Sequence, residues 1–206
     1  DGRILYPSSD YFAYINANIG GQKTNGLIEE KLDHEVYTGD EKQIIHKVTL
    51  TRKHNGTYFW PSGINYSYIR FYVPEGSRVI DVKGFEKDES IKHDPNTGII
   101  FMEERPGYYT GNAEIKDLNI SVEHGKTVIG TWQRIKPGEE IVSEISYVLP
   151  ENLKIKSLIS DYSILMQKQA GVTKQHLSII LKGKDGQVFS RAFDFVKDIV
   201  VDPKVQ

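Results

Sequence analysis

The chain has 206 residues and a mass of 23.5 kDa, a length that buries roughly 70% of the unfolded surface and builds a core without covalent staples. With 38% hydrophobic and 26% charged residues and a mean hydropathy of -0.44, it has the composition of a globular domain rather than of a disordered or membrane-embedded chain, and no run approaches the ~18 apolar residues of a helical span. Lys plus Arg (26) nearly cancels Asp plus Glu (28), which argues against nucleic acid as a partner, and the absence of cysteine excludes disulfides, thiolate zinc sites and thiol catalysis.

The sequence opens at Asp1 with neither Met nor a signal peptide, as expected of a fragment or processed piece of a longer protein. Asp10 to Ala17 is a weak candidate for a short helix, against which its β-branched and aromatic content argues. Ile28, Leu32 and Val36 fall on one side of an extended segment whose other side carries Glu29, Lys31, Asp33 and Glu35, the pattern of a half-buried strand. Ile44, Val48 and Leu50 repeat it in 43–53, and Gly39-Asp40 between the two runs predicts a hairpin. Tyr68 to Val73 forms the next strand, stopped by Pro74-Glu75-Gly76 before Arg78 to Val82 restarts.

Lys87 to Gly98 reads as an exposed loop ending in the turn Asp94-Pro95-Asn96-Thr97-Gly98. Short strands follow near 99–103, 118–123 and 126–134, then a tight turn at Lys136-Pro137-Gly138-Glu139 and a strand from Ile141 to Leu149. Asn152 to Asp161 is the second candidate helix. Tyr162 to Gln167, Leu177 to Leu181 and Val188 to Phe195 complete the strands, the last two joined by Lys184-Asp185-Gly186-Gln187, a strong hairpin signal. Turn signals at this spacing predict an all-β fold, an antiparallel immunoglobulin-like β-sandwich with extra hairpin strands. Residues 1–206 are expected to form one β domain, with an immunoglobulin-like core at about 27–150 and appended strands over 151–206.

Catalytic and metal motifs fail on spacing. His34-Glu35 begins like a zinc-protease motif, but Thr38 stands where the second His is needed. Gly125-Lys126-Thr127 resembles a phosphate-binding loop, but Ile120 occupies the earlier glycine position. A calcium loop at Asp94 and Asn96 lacks its closing Glu. No Gly-x-Ser-x-Gly elbow occurs, and Glu103-Glu104 and Glu139-Glu140 are strand neighbours that point to opposite faces. Neither a cofactor nor a metal is expected, and no enzyme activity.

The feature that suggests function is aromatic. Tyr58, Phe59, Trp60, Tyr66, Tyr68, Phe71 and Tyr72 crowd around Pro61-Ser62-Gly63, and Tyr108-Tyr109 form a second pair. Tyr58, Trp60, Tyr66 and Tyr108 are the candidate ligand-binding residues, because aromatic rings on loops stack on sugar faces or anchor protein partners. The competing reading is core packing, expected for Phe71 and for one of Tyr66 or Tyr68. Asn16, Asn18, Gly20-Gly21 and Lys23 suggest either an anion-binding concavity or a capped turn.

Four stretches carry a family resemblance: Asn16 to Lys23, Trp60-Pro61-Ser62-Gly63, Gly125 to Gly130, and Leu165 to Gly171. Together with Tyr72 to Ser77 and the Pro137-Gly138-Glu139 turn leading into Ile145 to Pro150, they resemble bacterial cell-surface immunoglobulin-like modules. More narrowly, they resemble the C-terminal part of the domain of unknown function 4012 family, which usually has Pro where this chain has Ala170. The resemblance implies a bacterial envelope protein, extracellular or at the cell surface and membrane-anchored in its full-length form. It supplies no catalytic residues. The expected function is that of a non-catalytic extracytoplasmic β-sandwich module for adhesion, wall association or assembly, with cell-wall glycan or a surface protein as partner. The alternatives are a carbohydrate-binding module using exposed aromatic side chains and, less favoured, an unrecognised hydrolase or transferase.

Overall fold

The computed structural model describes residues 4–205 apart from 6–8, 21, 22, 41, 88–90, 94–99, 103–106, 112–114, 116, 154, 173, 174 and 185. Alternation does most of the folding work. In β2 (Ile28–Thr38) every second residue from Ile28 to Val36 is buried, and in β3 (Ile44–His54) every second residue from His46 to His54 is. The two pair antiparallel from Ile28↔His54 to Thr38↔Ile44, closing the hairpin expected at Gly39-Asp40.

The remaining strands are β1 (Asp10–Asn18), β4 (Asn65–Pro74), β5 (Arg78–Glu86), β6 (Ile91–His93), β7 (Ile100–Met102) and β8 (Tyr108–Thr110). They continue with β9 (Asn119–Glu123), β10 (Lys126–Ile135), β11 (Glu140–Val148), β12 (Ile164–Gln167), β13 (Gln175–Lys182), β14 (Val188–Asp194) and β15 (Ile199–Val201). A 13-stranded sheet runs β14-β13-β2-β3-β11-β5-β10-β4-β1-β12-β15, with β8 beside β5 and β9 beside β10, while β6 and β7 pair separately. The fold is all-β.

The topology departs from a purely antiparallel sandwich in two ways. β1 pairs parallel with β12, and β13 pairs parallel with β2, so the segment after residue 150 is built into both limbs of the sheet rather than appended to a finished core. The strands also form one curled sheet, a half-barrel. Four strands separate β3 from β1 in the order, yet Phe12 of β1 stacks edge-on against His34 of β2 with ring centroids 4.6 Å apart. The limbs therefore close on a shared core containing Phe12, Leu32, Leu50, Phe71, Phe85 and Ile129, as two-layer architectures require.

Both candidate helices are absent among the described residues. Asp10–Asn18 is a strand with its first five residues buried, because tertiary pairing on both sides outweighs local propensity. The described residues of 152–161 are turns, bends and irregular backbone that bring Leu158 into the core. Part of the expected loop over 87–98 is β6, paired antiparallel with β7 from Ile91↔Met102 to His93↔Ile100. Asp94, Asn96, Glu103 and Glu104 lie outside the described residues.

Candidate functional site

The strand directions gather one end of the half-barrel. β2 and β4 start there, β3 and β10 finish there, and so do the start of β13 and the end of β14. The β3–β4 connection, residues 55–64, crosses this end and carries three successive exposed aromatic residues: Tyr58 at 63%, Phe59 at 82% and Trp60 at 85% exposure.

Hydrogen bonds hold the base of this loop. Thr57 N donates to Ser62 Oγ at 3.0 Å, and Phe59 N donates to Thr57 Oγ1 at 3.3 Å. Ser62 N donates to the Phe59 carbonyl at 2.9 Å, and Lys23 N to the Pro61 carbonyl at 3.2 Å; the Trp60–Pro61 peptide is cis. His54 is buried below the loop, where its Nδ1 accepts from Gly56 N at 3.0 Å. That leaves Nε2 to carry the proton and donate to the Gly63 carbonyl, 2.7 Å away. Gly56 is required by space: a Cβ there would lie 2.7 Å from His54 Cε1, 2.8 Å from Leu27 Cδ1, and still closer to Ser62 Oγ. The rings are thus displayed from a braced turn rather than a free loop, which lowers the entropy lost when they are ordered against a partner.

Beside the loop lies an open crevice of about 430 Å³, walled by Leu27, Glu29, Asn55, Gln175, His176 and Asp194 among others. Asn55 of the crevice wall is the first residue of the β3–β4 connection, and its N–H donates to the Leu27 carbonyl at 2.9 Å, so the crevice reaches the base of the aromatic loop. A second crevice of about 230 Å³ lies on the other side of the Asn25–Leu27 turn, with Asn16, Glu30, Gln169 and Gly171 in its wall. Gly26 and Ile28 belong to both.

Beneath the crevices is a buried polar network. Arg52, with no exposed surface, donates from Nε to Glu30 Oε1 at 3.0 Å, from Nη1 to Gln133 Oε1 at 3.0 Å, and from Nη2 to Asn65 Oδ1 and Ser67 Oγ at 2.9 and 3.1 Å. Glu30 also accepts from Tyr14 Oη at 2.9 Å, Asn16 Nδ2 at 2.8 Å and Gln175 Nε2 at 3.2 Å. Burial, with the Glu30 charge beside it, pushes the Tyr14 phenol well above its usual range.

Deeper in the core, His34 Nε2 lies 2.7 Å from His46 Nδ1, and His46 Nε2 lies 3.1 Å from Asp10 Oδ2, which accepts from Tyr162 Oη at 2.6 Å. One of the two rings donates to the other across the 2.7 Å contact, while His46 Nε2 and His34 Nδ1 have no hydrogen-bond partner among the described residues. Desolvation first, and the neighbouring His46 second, hold His34 well below the ordinary histidine range. All these groups are closed off from solvent, so this chain of side chains serves as a polar seam between the limbs and is part of neither crevice wall described above.

Of the candidate binding residues, Tyr58 and Trp60 stand exposed on the loop. Tyr108 is 44% exposed on β8, opposite Glu86 of β5, where burial raises its phenol above the usual range. Tyr66 is half-buried in β4 and packs over Gly20. Phe71 is in the core, and Tyr68 is half-buried against Trp132 with ring centroids 4.7 Å apart. Two of the four, Tyr58 and Trp60, belong to the exposed triplet with Phe59; Tyr66 and Tyr108 lie on β4 and β8, each beside Arg134 of β10. The concavity considered around Asn16 is a capped turn in the residues described there, since Asn16 binds Glu30, Asn18 Oδ1 accepts from Gly20 N at 3.1 Å and Asn18 Nδ2 donates to Thr24 Oγ1 at 3.0 Å.

The polar residues of the crevice floor were not singled out from the sequence, although a signal was present. The same parity that buries Ile28, Leu32 and Val36 points Glu30 and His34 inward, and the parity of β3 does the same for His46, Arg52 and His54. Among the described residues no cluster of three His, Cys, Asp or Glu side chains suits a metal ion. No family model matches the chain, and no curated protein matches it.

Proposed function

We propose that this chain is a non-catalytic binding module of a bacterial envelope protein, acting outside the cytoplasm in wall association. Its ligand is glycan, stacked on the Tyr58-Phe59-Trp60 loop and hydrogen-bonded in the adjoining crevice. The observation that carries this reading is the pairing of a braced, exposed aromatic triplet with a crevice that bears polar side chains and includes Asn55, at the base of the same connection, in its wall. Sugar sites combine an apolar face for ring stacking with a few placed polar groups that read hydroxyls. The immunoglobulin-like sandwich belongs to the same proposal, supported by the packing of two limbs of the curled sheet across a common core. The envelope location rests on the family resemblance.

Co-sedimentation with isolated bacterial cell-wall sacculi tests the binding. Trp60→Ala is expected to leave the urea midpoint within about 0.5 kcal/mol of the parent, as exposed substitutions do, and to weaken binding by about 2 kcal/mol, roughly thirtyfold. Parent protein that stays in the supernatant, or a variant that sediments as well as the parent, would overturn the reading. Because the chain has no cysteine, a single engineered surface cysteine reports location cleanly: labelling in intact cells by a membrane-impermeant maleimide is expected, and labelling only after lysis removes the envelope assignment.

A further inference from the structure

We infer that the crevice beside the aromatic loop selects an amine-bearing glycan, an amino sugar whose nitrogen is a free ammonium, over neutral and anionic polymers. The inference rests on the glycan reading above and names the ligand class within it. The crevice wall carries two carboxylates, Glu29 and Asp194, and among its described residues neither Lys nor Arg. Two of its side-chain nitrogens face those carboxylates: Asn55 Nδ2 donates to Glu29 Oε2 at 3.4 Å, and His176 Nδ1 lies 2.9 Å from Asp194 Oδ1.

Gln175 is the independent observation. It lines the crevice while only 3% exposed, and its Nε2 donates to Glu30 Oε2 at 3.2 Å. A carboxylate buried against Arg52 only accepts, so the amide orientation is set, and Oε1 has no donor among the described residues. Asn16, in the wall of the neighbouring crevice, repeats the arrangement: Nδ2 is held by Glu30 Oε1 at 2.8 Å, and the buried Oδ1 has no donor. Glu30 thus fixes two amides, each with a buried oxygen that has no donor among the described residues, one on each side of the Gly26 turn.

A site of acceptors and carboxylates complements a group of donors carrying positive charge. A primary ammonium has three N–H donors and a full charge, whereas phosphate or uronate would meet the like charge of Glu29 and Asp194.

Isothermal titration calorimetry at low salt compares a glucosamine tetrasaccharide with its N-acetylated counterpart and with a tetragalacturonate. The free-amine tetrasaccharide is expected to bind about tenfold more tightly than the acetylated one, and the uronate not measurably. In the double variant Glu29→Gln/Asp194→Asn, which neutralises two exposed carboxylates and leaves the buried network intact, the preference is expected to fall to within about twofold. The double variant Glu75→Gln/Glu151→Gln, which removes two exposed carboxylates beyond the opposite end of β4, should keep it and so controls for net charge. Equal affinity for the two tetrasaccharides, or a preference that survives the double variant, overturns the inference. If the acetylated sugar binds and that binding needs Trp60, while the amine adds nothing, the glycan reading stands and the amine preference falls; if neither sugar binds, the glycan reading falls with it.

Discussion

Arg52 shows how a single residue can define an interior. Its guanidinium is fully buried, and it reaches Glu30, Gln133, Asn65 and Ser67, joining β2, β10 and β4 through one side chain on β3. Such a pair is tolerated only because nearly every donor is matched; removing one partner strands the other charge in a poorly solvated place. Arg52→Met keeps the volume but leaves the Glu30 carboxylate and the Gln133, Asn65 and Ser67 oxygens without their donor. It is expected to cost about 3–5 kcal/mol in urea denaturation, and a loss below about 1 kcal/mol would show that the network contributes specificity without stability.

Among the elements, the β9–β10 hairpin is the one whose geometry follows most directly from its turn. Glu123 pairs with Lys126, and the two residues between them, His124 and Gly125, have φ of 50° and 63°. Two successive left-handed residues make a type I′ turn, whose twist matches that of the strands it joins. Gly125→Val places a β-branched side chain in that conformation and is expected to destabilise the protein by about 1–2 kcal/mol. His124→Asn should be neutral or slightly stabilising, because Asn tolerates the left-handed region better. Both are read from denaturation midpoints, and an unchanged midpoint for Gly125→Val would mean that the turn changes type without cost to β10.

For the whole molecule, the polar seam makes stability depend on pH from both sides. His34 is held neutral in the fold, its pKa well below the ordinary 6.5, so as pH falls below about 6.5 the unfolded chain takes up a proton that the folded chain refuses. Stability is therefore full above that pH and declines as pH drops toward 5. Tyr14, Tyr162 and Tyr147, the last a buried side chain of β11 stacked on His46 with ring centroids 4.7 Å apart, are shifted the other way, well above the ordinary 10.0, chiefly by burial. Their neutral forms are retained on folding, so this contribution is full below about pH 10 and is lost as pH rises beyond it. Urea midpoints measured from pH 5 to 11 should trace a plateau with two falling limbs, and a midpoint that stays flat between pH 7 and 5 would contradict the assignment at His34.

Alternation and turn residues determined much from the sequence alone: the all-β class, the β2–β3 and β13–β14 hairpins, and the inward faces of both β2 and β3. These are local properties, because side-chain period and turn chemistry are written within a few residues of each other. Even the inward placement of Glu30, His34, His46 and Arg52 follows from parity. What parity leaves open is which partner meets each of them. Glu30 is joined to Gln175 across 145 positions and Tyr11 to Gln167 across 156. The parallel pairs of β1 with β12 and β2 with β13 link residues more than a hundred positions apart. Only the tertiary structure decided these, and with them the curl that sets the aromatic loop beside the crevice. A sequence pattern specifies which face of a strand turns inward; the neighbour that satisfies a buried charge is chosen by how distant strands close around it.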